Sequence, residues 1–241
     1  MTPIEIERLA TEDSRFYKIV KDDGTELYLP SVTTILHHVG ITNSFLDGWK
    51  EEQSERIGVL GKRIQLMLDQ QRGTKVHGAI EDWHDGKDID WKKDGYTDDE
   101  WARIHRYMQW ENEKQPKFLQ SEMVVYSEKY GFAGTIDGIA KISDWDLIVD
   151  YKTGKDVYAD HLLQAAAYHI AYEEMFDEAL DGVLVLALAA RTKKGWKEEV
   201  LGGKDLARFR EGFLLHKELF DWEFYDFVPK TECFPSHYTH E

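Results

Sequence analysis

Cysteine is nearly absent from this chain of 241 residues; Cys233 stands alone. That excludes an internal disulfide, a zinc site built on several cysteines and an iron–sulfur cluster held by four cysteines of this chain. Long apolar runs are missing too. The longest, "GVLVLALAA" at 182–190, is far too short to cross a bilayer, so no membrane partner is expected. The opening "MTPIEIERLATEDSRF" has no apolar h-region and carries acids, unlike a secretory signal or transit peptide. The simplest expectation is a soluble, cytoplasmic protein. Blocks of one charge sign, internal repeats and low-complexity linkers are also lacking, so no tail or domain boundary is marked. Basic charge is scarce: 30 Lys and Arg face 46 Asp and Glu, a net charge of −16. Passive coating of nucleic acid rests on a basic surface, because phosphate neutralisation supplies most of its affinity. The deficit does not exclude an enzyme whose local positive charge comes from bound metal ions.

What is present suits one domain over 1–241. Apolar residues make up 42%, with 8 Trp, 12 Tyr and 11 Phe as bulky core material. Residues 14–29 read as a hairpin turning at "DDGT" and ended by Pro30. "SVTTILHHVG" reads as a short helix that Ser31 caps. Residues 47–71 form an amphipathic helix, with Trp49, Ile57, Leu60, Ile64 and Leu68 on its apolar face. A separate helix follows in "RGTKVHGAIEDWHDG", with Thr74 as its N-cap. Residues 85–100 read as a loop and 98–114 as a helix. Two strands come next, joined by "EKYG", and "DLIVDYKTG" is a third. A helix over 160–176, strands at 182–190 and "WKEEVL", and a C-terminal helix over 204–226 complete the chain. This order is α/β, with a mixed central sheet flanked by helices. The hairpin and helical region spans 1–71 and the core about 72–200.

Chemistry concentrates in "GTIDGIAKISDWDLIVDYKTGK" at 134–155. Side chains at i and i+2 of a strand share a face, so Asp150 and Lys152 project together and Tyr151 away from them. Antiparallel pairing through the short link at 141–146 brings Asp137 near Asp150. Two converging carboxylates repel unless a cation lies between them, and a hard divalent ion such as Mg²⁺ or Mn²⁺ suits oxygen ligands. Lys152 beside such an ion serves phosphodiester hydrolysis. An ordinary ion pair on a surface hairpin is the competing reading. His77 and Glu81 share a helix face at i, i+4. An imidazole nitrogen can complete a metal shell, and Glu81 can orient that ring or contact a metal-bound water. Gln164 and Tyr168 also stand at i, i+4, able to bond phosphate or base edges or simply to pack on the strand ends.

In this order the pieces resemble the PD-(D/E)xK nuclease superfamily, and most of all its RecB-like exonuclease branch. The series is His77 on a helix, "GTID" ending at Asp137, "DYKTG" with Asp150 and Lys152, then "QAAAY" with Gln164 and Tyr168. It spans about residues 72 to 170. "LPSVTTIL" at 29–36 is similar to a segment of mitochondrial genome-maintenance exonucleases and related phage proteins. The resemblance implies a restriction-endonuclease-like core and a metal site of His77, Asp137, Asp150 and the Tyr151 backbone carbonyl. It implies that Lys152 acts on the attacking water and the scissile phosphate; with Glu81, taken from its place on the His77 face, the expected catalytic set is Glu81, Asp137, Asp150 and Lys152. Gln164 and Tyr168 support the site or the DNA. Glu122 often has an acidic counterpart in such proteins, without an assigned role. Several relatives carry cluster-binding cysteines; this chain looks like the cluster-free type, with Mg²⁺ or Mn²⁺ as cofactor.

DNA contacts must then be local. Candidates are Ser31, Thr33, Lys62, Arg63, Arg72, Lys75, Lys155, Arg191, Lys193 and Lys194, with Trp49, Trp83 or Tyr158 to stack on bases. For each charge a solvated surface position is an equal reading, and for Ser31 so is helix capping. Three functions stay open here. The first is a metal-dependent DNA exonuclease of recombination, replication or repair, acting on a free end. A phage-type setting would pair it with a single-strand annealing or binding protein. The second is a structure-specific or restriction-type endonuclease, and the third a non-catalytic nucleic-acid-binding subunit.

Overall fold

A computed structural model describes residues 5–10, 14–39 and 44–229, without the side chains of residues 10, 44–60, 62, 63 and 66. Trp49, Ile57, Leu60, Lys62 and Arg63, as side chains, and Cys233 lie outside what is described.

Three strands come first: β1 (Glu5–Ala10), β2 (Arg15–Val20) and β3 (Glu26–Pro30), an antiparallel sheet in the order β1-β2-β3. The β2–β3 turn is the expected one, with Gly24 at φ 79°, a left-handed conformation that glycine adopts without strain. β1 has no counterpart among the sequence-based expectations. Ser31 caps α1 (Val32–Val39): its Oγ accepts from the Thr34 amide at 3.0 Å.

The second helix, α2 (Ser44–His84), overturns two expectations. It is a single 41-residue helix, about 60 Å long, and not two helices meeting near residue 72. Thr74 is therefore no N-cap; its hydroxyl turns back to the Gln70 carbonyl at 3.2 Å, inside the helix. Gly73 and Thr74 are weak helix formers, but propensity yields to burial. The turns that follow them sink Val76, Ala79 and Ile80 into the core.

α3 (Asp98–Lys114) starts on a capping box: the Glu100 amide donates to Thr97 Oγ1 at 3.3 Å, and the Thr97 amide to Glu100 Oε2 at 2.7 Å. Beyond it lies a five-stranded sheet, β4 (Lys117–Ser127), β5 (Phe132–Ile142), β6 (Trp145–Lys152), β7 (Gly182–Ala187) and β8 (Lys197–Gly202), in chain order across the sheet. All neighbours are antiparallel except β6 and β7. That parallel pair needs a crossover, and α4 (Ala159–Phe176) supplies it; α5 (Gly203–Glu223) follows β8. The mixed sheet flanked by helices is the architecture expected from the order of elements.

β6 lies at the centre, and its residues alternate between two apolar layers. Leu147, Val149 and Tyr151 pack with Val76, Ile80, Ile104, Tyr107 and Trp110 of α2 and α3. Ile148 packs with α1, α4 and α5. Asp150 and Lys152 follow Ile148 at two-residue steps, so they emerge on the α4 side as that strand leaves the core.

Candidate active site

The alternation breaks on β5, and the break makes the site. Ile136 and Ile139 both pack in the α4 layer, although residues three apart on a regular strand face opposite ways. The strand therefore kinks at Asp137 and Gly138. Across from it, Ser121 pairs with Gly138 and Met123 with Ile136, which brackets Glu122 against Asp137. Glu122 has φ 48°, an uncommon conformation for a residue with a side chain. Irregularities of this kind re-aim side chains out of a ladder. Here two carboxylates leave it at one level.

From α2, His77 reaches the same point, with Nδ1 3.3 Å from Asp137 Oδ1. The other Asp137 oxygen accepts the Tyr151 amide at 2.8 Å, which fixes the carboxylate against β6. One ligand atom each from His77, Glu122 and Asp137 lie within 4.8 Å of one another. An imidazole and two carboxylates at that spacing fit a divalent cation. Asp150 is not in this trio. Its Oδ1 and Oδ2 lie 3.1 and 2.8 Å from Lys152 Nζ, which also donates to Gln164 Oε1 at 3.0 Å. Gln164 in turn donates to the Tyr168 hydroxyl at 2.7 Å.

These groups line one cleft of about 410 Å³, together with Gly73, Thr74, Gly78, Glu81, Gly134 and Thr135. Its far wall is Arg8, Arg15, Tyr17, Ser31 and Thr33 of the N-terminal sheet and the start of α1. Two walls depend on close approach. A Cβ on Gly134 would sit 2.2 Å from a Tyr168 ring carbon, so only glycine lets that ring lie on β5. Tyr17 donates or accepts a 2.9 Å hydrogen bond with Thr135 Oγ1, pinning the N-terminal sheet to the same strand.

Burial dominates the electrostatics. Asp150 is 1% exposed. Desolvation pushes its carboxyl up to about 6 against the pull of Lys152, and Asp137 pushes the same way. For Asp137 desolvation also acts upward, but His77, Lys152 and the Tyr151 amide outweigh it and hold the carboxyl below its ordinary value. Burial works against a proton on His77, yet Asp137 overcomes it and the imidazole titrates above its usual value. Glu122 is raised by burial and then by the charges of Asp137 and Glu81. Acids crowded to this degree favour a bound cation or protons.

Of the residues expected from the sequence, His77, Glu81, Asp137, Asp150, Lys152, Gln164, Tyr168, Ser31 and Thr33 all line the cleft. The acid against His77 is Asp137 and not Glu81, which is exposed at the rim. Tyr151 turns its ring away to meet Tyr107, centroids 5.3 Å apart. Ser31 is engaged as a cap. The outer cations fall elsewhere. Arg72 pairs with Asp69 and Asp99. Lys75 donates to the Gly95 carbonyl, and Lys194 pairs with Glu113. Lys155, Arg191 and Lys193 are exposed outside the cleft lining. Trp83 donates to Glu111 at 2.8 Å, and Tyr158 lies 41% exposed beside His161.

Sequence reasoning gave Glu122 no role and passed over Arg8, Arg15 and Arg103. The alternating "EIERL" at 5–9 was a strand signal that would have exposed Arg8. Arg103 had none: from α3 its Nε donates to the Thr153 carbonyl at 2.8 Å, holding the chain just past Lys152.

A family model of the PD-(D/E)XK nuclease superfamily matches residues 52–236. No curated protein matches the chain.

Proposed function

The chain belongs to the PD-(D/E)XK nuclease superfamily, and from that premise we propose that it is a divalent-metal-dependent DNA exonuclease of the RecB-like type. The observation that carries the nuclease reading is the meeting of His77, Glu122 and Asp137 within 4.8 Å, beside the Asp150–Lys152–Gln164 chain. The exonuclease form is supported by the ordered series from His77 to Tyr168 that resembles the RecB-like branch. The N-terminal hairpin, the core and the C-terminal helix act as one nuclease domain in this reading. The Tyr17–Thr135 bond supports it by making the N-terminal sheet a wall of the cleft.

His77, Glu122 and Asp137 would hold the ion, with Asp150 at its margin. Bound there, Mg²⁺ or Mn²⁺ supplies Lewis-acid polarisation of a phosphoryl oxygen and activation of water. Lys152 carries three N–H donors. Asp150 and Gln164 take two directions, which leaves one for the cleft. That donor meets negative charge as it develops on the phosphate, and it needs no reorganisation because Gln164 and Tyr168 already fix it. His77 and Lys152 favour the ionised form of Asp137, and the Tyr151 amide orients it.

Linear DNA and covalently closed circular DNA of the same sequence, single- and double-stranded, separate the functions when incubated with Mg²⁺. Release of mononucleotides or short products from linear forms alone supports the exonuclease. Nicking or linearisation of circles would mean an endonuclease, and DNA binding without cleavage a non-catalytic subunit.

A further inference from the structure

The far wall of the cleft has an unusual charge. Arg8 on β1 stands directly across from Tyr17 on β2, and Arg15 precedes Tyr17 by two residues. Cross-strand partners and i, i+2 neighbours share a face, so both arginines lie on the face that Tyr17 presses against β5. Tyr17 is 1% exposed, and its hydroxyl bonds Thr135, two residues before Asp137. The arginines therefore belong to a surface fixed relative to the acidic trio. The backbone of Arg15 is tied down on both sides. Its amide donates to Thr34 Oγ1 at 2.9 Å. Its carbonyl accepts from the Ser31 amide at 2.8 Å and from Thr34 Oγ1 at 3.2 Å.

The guanidinium groups are different. Among the described residues neither Arg8 nor Arg15 has an ion pair or a side-chain hydrogen bond, although acids outnumber bases by 46 to 30. Arg72, Arg103 and Arg210 each have a carboxylate partner. The field of Arg8 reaches Glu122, across the cleft, without a direct bond. Two forks without a partner among the described residues thus face four acids, Glu81, Glu122, Asp137 and Asp150, over a cleft of about 410 Å³. A DNA strand entering this cleft brings phosphates toward those acids. It needs cations on the opposite side, and guanidinium forks match phosphate oxygens in pairs.

We propose that Arg8 and Arg15, with the Thr33 hydroxyl that lines the same cleft, form a phosphate-binding subsite that grips the DNA strand next to the scissile bond. The inference rests on the nuclease reading of the acidic wall. Its ligand is a DNA phosphate, either an internal diester or a terminal monoester. The subsite positions the strand and takes no part in the chemical step.

Binding and cleavage test it separately. Binding of short fluorescent oligonucleotides by anisotropy in Ca²⁺ needs no turnover, so it reads the subsite even if the nuclease reading fails. Arg8→Ala and Arg15→Ala should each weaken binding about tenfold and lower the slope of log Kd against log salt by about 0.7–1. In cleavage with Mg²⁺, KM should rise while kcat is retained, and Arg15→Lys should recover part of the loss. Oligonucleotides with 5′-phosphate, 3′-phosphate or hydroxyl ends separate the sources. A loss confined to one phosphorylated end identifies the monoester, and an equal loss on all three identifies the diester. A folded Arg8→Ala/Arg15→Ala protein with unchanged affinity and salt slope would overturn the proposal. So would a fall in kcat at unchanged KM.

Discussion

Gln164 Oε1 accepts a hydrogen bond from Lys152 Nζ at 3.0 Å, so the ammonium of a strand is aimed by an amide of the following helix. The arrangement predicts a graded series. Lys152→Ala removes the donor proposed to meet the phosphate and should lower kcat by about 10²–10³-fold, the range for losing one preorganised electrostatic group. Gln164→Ala leaves the charge but frees its direction, and should cost less, about tenfold, in kcat with KM little changed. Steady-state kinetics on one DNA substrate, with circular dichroism to confirm the fold, decides this. Equal losses in the two variants would contradict the division of roles.

Metal affinity should track Glu122 more closely than Glu81. Glu122 contributes to the trio within 4.8 Å; Glu81 is exposed at the rim. In calorimetric titrations with Mn²⁺, Glu122→Gln should weaken binding at least tenfold. Glu81→Gln should weaken it less. The reverse order would move the ion outward along α2.

Gly134 should not tolerate a side chain. A Cβ there lies 2.2 Å from Cε1 of Tyr168. Overpacking of this kind costs about 1–3 kcal/mol, so Gly134→Ala should lower the unfolding free energy by that amount. In a Tyr168→Leu background the same substitution should cost less than half as much, because the ring it strikes is gone. Urea denaturation of the four proteins measures this coupling.

The pH dependence has a definite sign. Asp150 is raised to about 6 by burial, from an ordinary 3.8. Its contribution to the metal-free fold is therefore full below about pH 4 and is lost as pH rises through about 6. Asp137, held low by His77 against its own burial, works oppositely, and its contribution is lost as pH falls. Above pH 6 the metal-free site thus carries the extra buried charge of Asp150, which a divalent cation relieves. The rise in melting temperature on adding Mn²⁺ should be larger at pH 7.5 than at pH 5.5, measured by calorimetry. A shift equal at both pH values would show that protons and metal do not compete there.

Much of this site was legible because it is local. The i, i+2 relation of Asp150 and Lys152 and the i, i+4 relation of Gln164 and Tyr168 are properties of single elements, and the geometry follows as expected. Asp137 met Asp150 because a short link fixes the β5–β6 register. Glu122 was illegible as a candidate ligand, since its aim depends on a kink shared by two strands and on φ 48° at a non-glycine. The split of α2 failed for a related reason: Gly73 and Thr74 signal an end locally, while Val76 and Ile80 are held by partners distant in sequence. Arg103 reaches Thr153 across 50 residues, a contact that no local pattern announces.

On the proposed reading, the acids around Asp137 and the lysine at 152 form a metal-dependent hydrolytic site for DNA. Release of acid-soluble nucleotides from linear DNA tests it most directly. The comparison sets wild-type protein with Mg²⁺ or Mn²⁺ against the same protein with EDTA, and against Asp137→Asn and Lys152→Ala with metal. Release at the wild-type rate is expected only from wild-type protein with metal, with none in EDTA and a rate about 10²–10³-fold lower for Lys152→Ala. Cleavage that persists in EDTA, or in a folded Lys152→Ala protein at the wild-type rate, would contradict it.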